Sequence, residues 1–81
     1  MHVRVLAFAR LRELLGGSSH EVEVPAGAHT TDVWNELVRR CPAIAELTES
    51  TRLARNGRIV TNDERVSEGD EVALLPPVGG G

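Results

Sequence analysis

At 81 residues the chain has room for one small domain with a single compact core, which a hydrophobic fraction of 41% can supply. A lone cysteine excludes an internal disulfide framework. A formal net charge of −3 argues against sequence-independent nucleic-acid binding, and two aromatic residues, Phe8 and Trp34, are too few for a base-stacking platform.

No cluster of Cys and His has metal-ligand spacing, so no metal or other cofactor is expected on the chain. The opening MHVRVLAFARLREL reaches arginine too soon for a signal-peptide core or a membrane span, which points to a soluble, cytoplasmic protein. All nine basic residues are arginine. Coding bias or a thermostable lineage would produce that pattern. So would a chemical constraint, taken up with the tail below.

In chain order, Val3–Ala9 reads as a first strand. Val3, Val5, Ala7 and Ala9 alternate with Arg4, Leu6 and Phe8, so the second face carries apolar residues where a solvated face would be charged. Leu11–Leu15 forms a short helical turn or loop closed by Gly16-Gly17. Glu21–Val24 is an alternating strand with Val22 and Val24 inward, ended by Pro25.

The main helix spans Thr30–Cys41. Thr30 or Thr31 can cap it, Asp32 suits its first turn, and Arg39-Arg40 suit its last. Val33, Trp34, Leu37, Val38 and Cys41 make one apolar stripe. Ala43–Leu47 gives another helical turn. Arg52–Asn56 and Arg58–Thr61 flank Asn56-Gly57, a strong hairpin signal because both positions tolerate positive φ. Glu68-Gly69-Asp70 is a second turn, and Glu71–Leu75 is the last strand.

The order is strand, strand, helix, then three strands. Pairing the first and last strands in parallel at the sheet centre, with the helix across one face, buries the most apolar surface. That arrangement is an α+β fold, the ubiquitin-like β-grasp. The expected organisation is a β-grasp domain over 1–75 and an extended tail over 76–81.

The tail is Pro76-Pro77-Val78-Gly79-Gly80-Gly81. The prolines fix φ and disfavour helix, so the arm leaves the body stiff and extended. From Pro76 to Gly81 it reaches about 20 Å at ~3.3–3.6 Å per residue. Glycines without Cβ can thread a slot too narrow for other residues, presenting the Gly81 α-carboxylate to a partner's active site. Lysine amines would attack such a carboxyl group once activated, whereas guanidinium would not. The absence of lysine fits that chemistry.

These residues carry a resemblance. The opening VRVLAFARLRELLG, with Arg12, Glu13 and Leu14, and the close VSEGDEVALLPPVGGG are similar to the small-subunit family of molybdopterin synthase, the ubiquitin-like sulfur carriers. Gly79 stands where that family more often has a small polar residue. The resemblance implies a sulfur cycle at Gly81, with Gly80 threading the active site. An ATP-dependent activating enzyme adenylates the carboxylate, and a persulfide then converts it to a thiocarboxylate. The large catalytic subunit takes that sulfur for a cyclic pyranopterin precursor, in a heterotetramer of two carriers and two large subunits. The carrier itself is a non-catalytic subunit, and neither nucleic acid nor membrane is implied. A carrier for thiamine, cysteine or tRNA thiolation, or a ubiquitin-like protein modifier, stays open as an alternative.

Phe8 and Leu6, with Ile59 or Val60 and Leu75, form the expected docking surface, and each could instead face the core. Pro76, Pro77, Val78 and Gly79 extend that surface. Arg12 is a further candidate contact, though an exposed ion pair contributes little. Cys41, on the apolar stripe, reads as buried and inert, and Trp34 as core or helix rim. His2, His20 and His29 share no spacing and read as surface residues, and Arg39-Arg40 as a solvated helix end. The acidic run Asp63-Glu64, Glu68 and Asp70-Glu71 could steer a basic partner or be ordinary surface.

Overall fold

Period-two alternation in the opening strand sets up two layers. In the computed structural model, of which residues 1–76 are described, β1 (His2–Ala7) turns Val3, Val5 and Ala7 to one face, where all three are fully buried. The strand stops two residues short of the expected Ala9. Phe8 stays extended and becomes the N-cap of α1 (Ala9–Leu15), a longer helix than the short helical turn or loop expected over Leu11–Leu15. That early exit lets Leu11 swing back into the core. Gly16, at φ 81°, closes α1 by donating its N–H to the Arg12 and Glu13 carbonyls.

β2 (Ser19–Glu23) runs antiparallel to β1 in the register Val3↔Val22 and Val5↔His20. Val22 and Val24 point inward as their alternation requires. α2 (Thr30–Arg40) follows, ending one residue before Cys41. Its N-cap is His29 rather than a threonine. Asp32 accepts a hydrogen bond from the His29 N–H at 2.8 Å, while the Thr30 and Thr31 hydroxyls both donate to Asp63. Both threonines therefore fasten the helix start to the loop near residue 63 instead of capping it.

Val33, Trp34 and Leu37 of α2 are buried, with Val38 and Cys41 at the margin. Trp34 satisfies its indole N–H on the Thr48 hydroxyl at 3.0 Å. A 3₁₀ turn, Pro42–Leu47, adds Ile44 to the same core. Truncating a residue such as Leu37 to alanine here should cost about 2–5 kcal/mol.

β3 (Arg52–Arg55) and β4 (Arg58–Ile59) form the expected hairpin, with Asn56 at φ 51° and Gly57 at φ 84° in its turn. β4 is shorter than expected. Beyond it the chain is drawn to α2, where Thr30 N–H donates to the Glu64 carbonyl at 2.8 Å. β5 (Glu71–Leu75) lies at the centre of a five-stranded sheet of order β2-β1-β5-β3-β4. It is parallel to β1 and antiparallel to β3. The fold is a β-grasp with α2 across one face.

Candidate functional site

Strand register assembles a patch on the sheet face opposite α2. Residues opposite one another in neighbouring strands share a face. The pairings Leu6↔Ala73, Ala73↔Ala54 and Ala54↔Ile59 therefore line up Leu6, Ala73, Ala54 and Ile59 as one apolar row across four strands. A second row lies nearer the tail. Leu75 pairs with Arg52, and one step past Ala7↔Leu74 brings Phe8 beside Leu75. In the opposite direction the face becomes charged, with Arg4 paired to Glu71 in register and within 3.9 Å of Glu21. The apolar end of this face is the end from which the chain leaves.

Phe8 is 44% exposed and Ile59 40%, high values for side chains of this size. Leu6, Leu75 and Pro76 are half-buried, and Ala54 is covered. Phe8 also lines an open hollow of about 380 Å³ with Leu11, Leu47, Thr51 and Pro76. Its place in the cap between β1 and α1 explains this. Ala9 adopts φ 51°, a left-handed conformation that costs a non-glycine residue roughly 1–2 kcal/mol. That turn takes the chain from the sheet into α1 immediately after Phe8.

The structure thus brings Phe8, Leu6, Ile59, Leu75 and Pro76 onto one side. Val60 is half-buried, with its N–H bonded to the Leu53 carbonyl. Arg12 is exposed on α1 with no ion pair among the described residues. Pro77, Val78, Gly79, Gly80 and Gly81 lie outside the described residues. Sequence reasoning missed Ala54 and Ala73, the floor of the first row. Ala73 was within reach, because it occupies the phase of EVALL opposite to Val72 and Leu74.

Other expectations need correction. Asp70 is buried and accepts hydrogen bonds from Arg55, Asn56 and the Ser67 N–H. Burial opposes ionisation of its carboxyl group, but these donors together hold the pKa below its ordinary value. Glu64 is lowered chiefly by its bidentate pairing with Arg58, at 2.9 and 3.0 Å. Asp63 is committed to Thr30 and Thr31. Three members of the acidic run thus brace the fold, Glu68 accepts the His2 N–H at 2.8 Å, and Glu71 is half-buried.

Cys41 is half-buried rather than buried, and its thiol donates to the Leu14 carbonyl. His20 and His29 are also half-buried, the former bonded to the Gly17 carbonyl and the latter capping α2. Arg39 and Arg40 both clasp Glu36, whose pKa falls to about 2 chiefly through the Arg39 hydrogen bond. Among the described residues no group of three or more His, Cys, Asp or Glu is placed to hold a metal, and no helix is long and apolar enough to cross a membrane.

A sequence model of the ThiS family matches residues 5–81, nearly the whole chain and including the glycine terminus. The chain belongs to the ThiS family. Its similarity to the molybdopterin synthase sulfur carrier subunit of Arabidopsis thaliana is 36% identity over 81 residues, covering all of this chain and 84% of the plant protein. The small archaeal modifier protein 1 of Haloferax volcanii is 35% identical over 82 residues, covering 91% of this chain and 94% of the archaeal one. The crystal structure of SAMP1 from Haloferax volcanii superposes with a TM-score of 0.87 at 30% identity over the full length of both chains. Within the ThiS family, then, the chain is similar both to proteins named as carriers and to one named as a modifier.

Proposed function

We propose that the chain is the sulfur-carrier subunit of a molybdopterin synthase, with the reacting atom on Gly81. The observation that carries this reading is the apolar outer face whose Phe8 and Leu75 end borders Pro76, where the chain leaves for its glycine end. Docking on Phe8, Leu6, Ile59 and Leu75 would hold the body while the tail alone enters the partner. Similarity to the plant carrier subunit supports this assignment.

The chemistry divides between this chain and its partners. A carboxylate is a poor electrophile, so an activating enzyme would use ATP to form the acyl adenylate, releasing pyrophosphate. A persulfide sulfur then attacks the acyl carbon and AMP leaves. A thiol cleaves the resulting S–S bond, becoming the disulfide partner and leaving the Gly81 thiocarboxylate. The large catalytic subunit would accept that sulfur into the cyclic pyranopterin precursor, in a heterotetramer of two carriers and two large subunits. General acid and base groups belong to those partners.

A second reading, a protein modifier, is favoured by the likeness to the Haloferax volcanii modifier protein. Intact-mass measurement of the protein from cells separates the two. Exchange of one oxygen for sulfur marks a carrier, and a ladder of heavier conjugates marks a modifier. The decisive assay incubates the thiocarboxylate form with a matching large subunit and the pyranopterin precursor. Formation of the dithiolene product is expected, and its absence would overturn the assignment.

A further inference from the structure

Strand pairing leaves one long edge of the sheet open. The order β2-β1-β5-β3-β4 puts β2 and β4 at the two edges, and β4 is only two residues long. β2 offers five, Ser19–Glu23. In an antiparallel pair, successive residues turn their N–H and C=O groups alternately toward the partner strand and away from it. Both sides of β1 fix the phase here. Val24 N–H donates to the Met1 carbonyl and Ala7 N–H to the Ser18 carbonyl, each at 2.9 Å, so odd-numbered residues of β1 bond to even-numbered residues of β2. Even-numbered residues of β1 face β5 instead: Arg4 N–H donates to the Asp70 carbonyl, and the His2 carbonyl accepts from Gly69 N–H. The backbone groups of Ser19, Glu21 and Glu23 therefore point outward, away from the sheet. Among the described residues nothing accepts from their N–H groups, and only the Glu21 carbonyl has a donor, Arg40 at 3.3 Å, just beyond the usual N–H···O range.

Such an edge can pair with an extended segment, and side chains decide which one. Residues opposite each other share a face, so a strand added antiparallel to β2 sets its bonded residues opposite Ser19, Glu21 and Glu23 on the outer face. Glu21 and Glu23 are exposed, and their own contacts are long, to Arg4 at 3.9 Å and to a His2 ring nitrogen at 4.0 Å. Exposed pairs of that kind contribute little, so both carboxylates stay available to a cation. On the α2 side the charges are already matched, Glu36 being held by Arg39 and Arg40. Past Glu23 the edge opens on a hollow lined by Glu23, Pro25, Asp32 and Glu36, which continues the negative character. A second copy of this chain fits poorly. In the antiparallel register that uses all three residues, Glu21 meets its own counterpart, and like charges directly opposite destabilise.

We propose that the open edge of β2 is a strand-addition site for an extended protein segment with basic side chains at alternate positions. The added strand bonds to the backbone at Ser19, Glu21 and Glu23 and pairs its cations with Glu21 and Glu23. Arg40 yields the Glu21 carbonyl and keeps its contact with Glu36. The edge lies beyond the apolar row, which crosses β1, β5, β3 and β4, so the inference does not rest on the reading of Gly81.

The test uses the full chain, labelled with nitrogen-15, and a blocked peptide of alternating arginine and valine about seven residues long, enough to span β2. Amide exchange at Ser19, Glu21 and Glu23 should slow roughly tenfold when the peptide is bound. His20 and Val22, bonded to β1 already, should change little. N-methylation of the arginine amides, which face the edge, should weaken binding roughly tenfold or more, and N-methylation of the valine amides should not. A peptide with glutamate in place of arginine should bind the double variant Glu21→Arg, Glu23→Arg and not the parent. Glu21→Pro removes one outward N–H at an edge position that tolerates proline, and should also lose the arginine peptide. The charge-reversed variant keeps the test decisive if the proline variant does not fold. No slowing at the three amides, or equal binding of the two methylated peptides, overturns the proposal. Slowing that grows with protein concentration in the absence of peptide assigns the edge to a second copy and overturns it equally.

Discussion

Arg55 donates through Nε to Asp70 Oδ2 at 2.7 Å, joining the β3–β4 hairpin to the turn ahead of β5. Asn56 Nδ2 reaches the other Asp70 oxygen at 3.0 Å, and Asn56 Oδ1 accepts the Glu71 N–H at 2.9 Å. Because β5 lies at the sheet centre, this clasp holds the strand that feeds the tail. Asp70→Ala would leave Arg55 only the longer 3.6 Å approach to Glu64. A destabilisation of about 2–3 kcal/mol is expected by urea unfolding, somewhat below a fully buried pair because the Arg55 side chain is partly exposed. A loss under about 0.5 kcal/mol, the range of ordinary surface changes, would show that the clasp is incidental.

The same clasp fixes the acid response. The Asp70 carboxyl group titrates lower in the folded protein than in the unfolded chain, where it takes its ordinary value of 3.8. Its contribution is therefore fully present above that value and disappears as pH falls through the lowered folded value. Glu64 acts in the same direction. Urea midpoints should fall from about pH 5 downward, and Asp70→Asn should flatten part of that slope. An unchanged slope would contradict the assignment.

Ala9 offers a stabilising substitution. Glycine at φ 51° removes the Cβ strain of roughly 1–2 kcal/mol but adds freedom to the unfolded chain worth about 0.4–1 kcal/mol. Ala9→Gly should raise stability by about 0.5 kcal/mol, read as a small increase in thermal midpoint. A decrease would mean that the left-handed conformation carries no strain.

Phe8 should separate docking from folding. Its ring is exposed at the end of the apolar face, so Phe8→Asp should change folding stability by no more than about 0.5 kcal/mol. Binding to the large subunit, measured by titration calorimetry, should weaken roughly tenfold or more. By contrast, Val5→Asp on the buried face should prevent folding. Undiminished binding by Phe8→Asp would remove this face from the interface.

Much of the fold was legible because local rules and burial agreed. Val3, Val5, Val22, Val72 and Leu74 alternate in sequence and all face α2. Asn56-Gly57 makes its turn for the reason its composition gives. The errors fell where distant partners intervened. Thr30 and Thr31 look like helix caps, but Asp63 claims their hydroxyls from 32–33 residues away. Asp70 belongs to an acidic run in sequence and to an arginine clasp in space.

Sequence alone determined the strand pattern, the amphipathic helix, the lysine-free charge set and the glycine ending, since each is written in neighbouring residues or in composition. Tertiary structure decided that Leu6, Ala73, Ala54 and Ile59 form one row, and that Arg52 stands opposite Leu75. Those relationships come from the register of strands far apart in the chain, which hydrogen bonding and core burial fix only once the whole sheet has assembled.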